Sequence, residues 1–153
     1  MKKFLILNGP NLNLLGVREP QIYGTQSYGD LVNFVAEFSA ELGIFCSIFQ
    51  SNHEGALVEE IHKAMHIYDG IIINPAAYTH TSVAIADALK SVSIPAVEIH
   101  LSDINAREEY RKRSYTSEGC LTIIAGKGFL GYKEGAKYLL NYLEEQTTIA
   151  LEK

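Results

Sequence analysis

Short runs of consecutive apolar residues alternate along this chain with longer stretches in which apolar and polar positions recur at helical spacing. The runs at 3–7, 44–49, 70–73, 96–100 and 121–125 predict five strands. The amphipathic stretches at 28–42, 57–66, 82–91, 104–113 and 131–145 predict a helix after each strand. Phe4-Leu5-Ile6-Leu7 and Ile71-Ile72-Ile73 lack the polar alternation of a half-exposed strand, so both of their faces must be covered, as in a parallel sheet between helices. The pattern predicts an α/β protein with a doubly wound, five-stranded parallel sheet of flavodoxin type. No internal repeat and no Pro/Ser-rich linker interrupts it, so residues 1–153 read as one domain.

Composition supports this reading. At 153 residues and 47% hydrophobic, the chain can bury a core of its own, and its 20% charged residues are not gathered into disordered tracts. A net charge of −5 opposes long-range attraction to nucleic acid or anionic membranes, so neither is expected as a partner, and an anionic ligand needs a local cluster of arginines. The first apolar run is too short for a signal-peptide core and no later run approaches membrane-spanning length. A cytoplasmic protein is expected, and Cys46 and Cys120 then read as buried thiols rather than a disulfide.

In a doubly wound sheet, ligands bind beyond the carboxyl ends of the strands, so the loops that follow them are where chemistry is sought. The first connection, Asn8 to Gly24, is long for an α/β unit and carries three asparagines with Arg18 and Tyr23, but no Walker-type lysine. Taken alone it is equally an asparagine-rich turn with a surface arginine. The third strand leads into Asn74-Pro75-Ala76-Ala77-Tyr78-Thr79-His80, an amide and an imidazole before a helix start. On the fourth strand, Glu98 and His100 are two apart and share a face, and a carboxylate beside an imidazole orients it for acid–base work. The plainer alternative is a buried ion pair. Ser102 is placed to cap the following helix, with the backbone N–H groups of Leu101 and Ser102 at its N-terminus, and Arg107 and Arg111 lie four apart on that helix, a spacing suited to clamping a carboxylate.

Two other patterns carry less. Gly126-Lys127-Gly128-Phe129-Leu130-Gly131 spells GxGxxG, yet only 22 residues follow it, too few for the rest of a dinucleotide-binding unit. His62 and His66, with Glu59, sit at metal-ligand spacing on a predicted helix but lack a companion cluster, so they read as solvated histidines.

Four blocks of this sequence resemble the type II 3-dehydroquinases. They are Asn8-Gly9-Pro10-Asn11-Leu12-Asn13-Leu14-Leu15-Gly16 with Arg18-Glu19-Pro20 and Tyr23-Gly24; Gln50-Ser51-Asn52 with Glu54-Gly55; Asn74-Pro75 with Tyr78-Thr79-His80-Thr81-Ser82; and Glu98-Ile99-His100-Leu101-Ser102 with Ala106-Arg107-Glu108. The resemblance implies anti elimination of water from 3-dehydroquinate through an enolate, in the shikimate pathway, with no metal, cofactor or Schiff base. By the same resemblance Tyr23 is the base and Arg18, with Arg107, holds it as its anion. A free phenol ionises near pH 10, so a tyrosinate at neutral pH needs ~3 to 4 kcal/mol of preferential stabilisation. Asn11 stabilises the enolate oxygen through a water, and His100, oriented by Glu98, protonates the departing hydroxyl. Asn74, His80, Arg111, Leu101 and Ser102 form the substrate-binding set. Asp87 matches a residue that reaches a neighbouring subunit's site, and the family's assembly implies a homo-dodecamer, a tetramer of trimers. Ala76, Ala86 and Asp103 depart from the family's usual Gly, Arg and Asn. The rival readings are a different enzyme on the same fold and a non-catalytic anion-binding module, which would not need Tyr23, Arg18 and the Glu98/His100 pair together.

Overall fold

The computed structural model describes every residue except Arg18, and describes Ile22 and Tyr23 by their backbone only. Strands β1 (Lys3–Asn8), β2 (Phe45–Gln50), β3 (Gly70–Asn74), β4 (Ala96–His100) and β5 (Thr122–Ala125) form one sheet in the order β2-β1-β3-β4-β5. Every neighbouring pair is parallel. This is the doubly wound arrangement predicted from the apolar runs, and strand order reverses beside β1, where β2 and β3 flank it.

The two-residue period of the strands divides the core into two layers. Phe4, Ile6, Ile72, Val97 and Ile99 pack on one face against Leu31, Val35 and Phe38 of α2 (Tyr28–Leu42) and Tyr132, Ala136 and Leu139 of α5 (Leu130–Leu151). Leu5, Leu7, Ile71, Ile73 and Ala96 pack on the other against α3 (Glu54–Lys63) and α4 (Val83–Val92) through Leu57, Ile61, Ile85 and Leu89. Each fully buried aliphatic side chain contributes about 1.5–3 kcal/mol. Helix α2 starts where Ser27 and Asp30 form a reciprocal capping box, and α4 starts where Ser82 Oγ accepts the Ile85 N–H. The GxGxxG run serves packing: a Cβ at Gly131 would stand 3.3 Å from Ile99, and one at Gly135, a turn further along, 3.0 Å, so the bare backbone lets α5 close onto β4.

Four expectations are corrected. The predicted helix at 104–113 is instead two 3-10 turns, Ile104–Ala106 and Glu109–Arg111, so β4 is followed by turns. The Asp103 carboxylate accepts the Asn105 N–H and caps the first turn, but the backbone is extended at Arg107, so the turn does not continue as a helix. Ser102 therefore caps no helix; Asp103 holds that place on a single short turn, with no helix dipole behind it. Helix α3 ends at Lys63, and His66 lies beyond it at a φ of 65°, so His62 and His66 do not share a helical face. Helix α5 runs past the predicted 145 to Leu151, and in these added turns the Thr147 and Thr148 hydroxyls donate to the Leu143 and Glu144 carbonyls one turn back. The short helix α1 (Pro20–Tyr23) lies in the connection after β1. Both cysteines are free and partly buried.

Candidate active site

The carboxyl ends of β1, β3 and β4 meet at a cleft lined by Asn11, Asn74, His80, His100, Arg107 and Arg111, with Pro10, Leu12, Ala76, Ala77, Leu101, Ser102 and Ile104 between them. Eight of the twelve residues predicted for the site thus line one space: those six, Leu101 and Ser102. Glu98 stands behind His100. Asp87 is exposed on α4 and is not part of this cleft within one chain. Arg18 and the Tyr23 side chain lie outside the described residues.

The β1 loop is brought close to the β3 loop by a glycine. A Cβ at Gly9 would fall 2.3 Å from the Pro75 carbonyl oxygen, and the Gly9 N–H donates to the Asn74 carbonyl at 2.8 Å. Beyond it Asn11 adopts a left-handed conformation, φ 68°, tolerated by asparagine, while its N–H donates to Asn52 Oδ1 at 3.0 Å. Gln50 Nε2 donates to the Gly9 carbonyl and to Asn52 Oδ1, so the Gln50-Ser51-Asn52 block after β2 holds the loop that presents Asn11.

Asn8 and Asn74 are register partners on β1 and β3 and are almost wholly buried. The Tyr132 hydroxyl from α5 bridges them, donating to Asn8 Oδ1 at 2.6 Å and accepting from Asn74 Nδ2 at 3.1 Å. Asn74 Oδ1 accepts the Ala76 N–H, so both ends of its amide are assigned and its orientation in the cleft wall is set. Burial raises the Tyr132 and Tyr28 phenols above their ordinary range, with hydrogen bonds from Asn74 and Asn8 respectively opposing the shift.

On the opposite layer, Glu98 and His100 project from β4 as their two-residue spacing predicts. His100 Nε2 is 2.6 Å from Glu98 Oε1, and Glu98 is fully buried. An ionised carboxylate only accepts, so Nε2 carries the proton and Nδ1 is the nitrogen left for a ligand. His80 Nδ1 lies 2.7 Å from the Arg113 carbonyl oxygen, which likewise accepts, leaving Nε2 as the acceptor in its neutral form.

Arg107 and Arg111 reach the cleft without a shared helix. Both Nε atoms face the Glu108 carboxylate, at 3.6 and 3.1 Å. The Glu108 carboxyl is held below its usual range, first by its own backbone N–H and then by these two guanidinium charges. The arginines supply the local positive charge that a net −5 chain needs in order to take an anion. Among the described residues, no group of three or more His, Cys, Asp or Glu side chains is arranged to hold a metal ion.

Comparison with known proteins places the chain in a family. The model of the family "Dehydroquinase class II" matches residues 2–140. The chain belongs to the class II dehydroquinase family. Within that family it is 48% identical over 143 residues to the 3-dehydroquinate dehydratase of Clostridium acetobutylicum, covering 94% of this chain and 99% of that one. It is 48% identical to the catabolic 3-dehydroquinase of Verticillium alfalfae, covering 93% and 95%. The crystal structure of the type II dehydroquinase from Butyrivibrio crossotus superposes with a TM-score of 0.89 at 48% identity, covering 90% of this chain and 97% of that one.

Three residues of this dehydroquinase site escape a reading of motifs: Tyr132, Ser114 and Thr116. The last two donate to Glu98 from a segment outside every quoted block. A signal existed, since a carboxylate on an otherwise apolar buried strand requires donors from elsewhere, but spacing alone could not say which.

Proposed function

We propose that this chain dehydrates 3-dehydroquinate to 3-dehydroshikimate, removing water in the anti sense through an enolate. The observation that carries the reading is the Glu98–His100 pair, buried at the end of β4 and opening on a cleft that also holds Asn11, Asn74, His80 and two arginines. Family membership supports it over the whole of that cleft.

Substrate binding falls to Arg111 and the Leu101 and Ser102 backbone, which receive the carboxylate and hydroxyls, with Asn74 and His80 completing the set. His80 Nε2 accepts a hydroxyl proton because Nδ1 is committed to Arg113. Tyr23 is the base that takes the proton from the carbon beside the ketone, and Arg18 and Arg107 stabilise it as its anion. Tyr23 and Arg18 fall in the sequence between β1 and α2, and Arg107 follows β4; all three lie within the family match, which supports these roles. Charge develops on the ketone oxygen, and Asn11 meets it through a water. The imidazolium of His100, stabilised through Nε2 by Glu98, gives its Nδ1 proton to the departing hydroxyl. Asp87 serves a neighbouring subunit in a dodecamer, for which its exposure on α4 leaves it available. The chemistry needs no cofactor, and the enzyme works in the cytoplasm; no described helix is long and apolar enough to cross a membrane.

The test is direct. Mixed with 3-dehydroquinate, the protein should generate the ultraviolet absorption of a conjugated enone, and borohydride added with substrate should not inactivate it. Folded protein that gives no such absorption, or a lysine trapped by borohydride, overturns the reading.

A further inference from the structure

The segment 111–116 is tied to the walls of the cleft at four points: the Arg113 carbonyl to His80 Nδ1, Ser114 Oγ to Glu98 Oε1, the Tyr115 N–H to the Thr79 carbonyl, and Thr116 Oγ1 to Glu98 Oε2. The Arg113 guanidinium lies 4.4 Å over the Tyr115 ring, which stiffens the segment between these anchors.

We propose that Ser114 and Thr116 are positioning residues for the acid of the reaction, and that segment 111–116 acts as a strap holding both cleft imidazoles from behind. Glu98 is fully buried, so its carboxylate must be satisfied by protein donors. Oε1 accepts from His100 and from Ser114 at 2.8 Å, and Oε2 accepts from Thr116 at 2.8 Å. The Ser114 hydroxyl oxygen already accepts the Ser117 N–H at 3.1 Å, which leaves its own proton to point at Glu98. Thr116 is itself fully buried, so no water competes for its hydroxyl.

A carboxylate turns easily about its last single bond, where the torsional preference is broad. With one hydroxyl on each oxygen that rotation is stopped, and Oε1 stays in line with His100 Nε2. The imidazole plane, and with it the direction of Nδ1, is then set by two side chains that never meet the substrate. Neither Ser114 nor Thr116 lines the cleft, so removing their hydroxyls should act on turnover and not on binding.

This inference rests on the dehydration reading for the step it affects, and its test separates the two. Ser114→Ala and Thr116→Val are each expected to lower kcat about ten-fold, with KM changed less than about two-fold, and the double variant more than either single one. Thr116→Ser keeps the hydroxyl and should retain most of the turnover. In proton spectra of the wild-type protein, the short Nε2–H···Oε1 bond should give a far-downfield imidazole N–H resonance that shifts or broadens in the double variant and persists in Thr116→Ser. Unchanged kcat in the double variant, equal losses in Thr116→Val and Thr116→Ser, or an unmoved resonance would overturn the strap. Failure of the wild-type protein to turn over 3-dehydroquinate would overturn the dehydration reading, while the resonance would still decide the strap.

Discussion

Tyr132→Phe isolates a single oxygen atom at the point where strand order reverses. The hydroxyl is fully buried and bridges Asn8 on β1 and Asn74 on β3 at 2.6 and 3.1 Å. Deleting it leaves Asn8 Oδ1 without its donor and one Asn74 N–H without its acceptor, each in a buried setting. An orphaned buried polar group costs about 1–3 kcal/mol, and losing the hydroxyl's own burial cost offsets part of this, so a net loss of about 2–4 kcal/mol is expected. For a chain of this size that corresponds to a fall in Tm of roughly 5–12 °C. Urea unfolding at fixed protein concentration should show a lower midpoint with an unchanged slope, since the surface exposed on unfolding stays the same. The Asn74 amide also loses one of the two bonds that orient it, so KM for 3-dehydroquinate should rise. A variant as stable as the wild type with unaltered KM would show that the bridge contributes nothing and would refute this reasoning.

Other outcomes follow from the same geometry. Gly9→Ala places a Cβ against the Pro75 backbone, which cannot yield as a flexible side chain would, and should destabilise by about 1–3 kcal/mol and impair turnover; wild-type behaviour in thermal unfolding and steady-state assays would count against the close approach. Burial raises the Cys46 and Cys120 thiols, with the Glu98 charge adding to the effect at Cys120, so both should react slowly with a thiol reagent at neutral pH until urea unfolds the chain. Fast labelling of the folded protein would contradict this. The Glu108 carboxyl is held low, so its hold on Arg107 and Arg111 is complete above the ordinary carboxylate range and is lost only as pH falls through the lowered value. Glu108→Gln should therefore weaken binding of a substrate-like carboxylate at neutral pH, with the difference from wild type narrowing on acidification. A difference that stays constant with pH would exclude the ion pairs as its cause.

What could be read from the chain follows the range of the interactions involved. The unbroken apolar runs of β1 and β3 announce a sheet buried on both faces, and the ends of β1, β3 and β4 then locate the cleft. Glu98 and His100 are legible because two residues along a strand always share a face. The 104–113 stretch misleads because its helical spacing is genuine, while the backbone is extended at Arg107, whose side chain lines the cleft, and this breaks the stretch into two short turns. Arg107 and Arg111 still converge, but through the shape of the loop and the carboxylate of Glu108. Tyr132 joins residues 124 and 58 positions away, and Ser114 and Thr116 meet Glu98 from 16 and 18 positions away. Such pairings are decided by the packing of α5 and the 111–116 segment, and no local pattern encodes them.

The central claim is that water leaves from a substrate held between the ends of β1, β3 and β4, with His100 as the proton donor. Rates of enone formation from 3-dehydroquinate by the wild-type protein and by His100→Ala, followed by ultraviolet absorbance in a single turnover, address it most directly. The account predicts rapid formation by the wild type and a loss of about 100-fold or more in the variant, the scale of a missing general acid. Equal rates in the two proteins would contradict it.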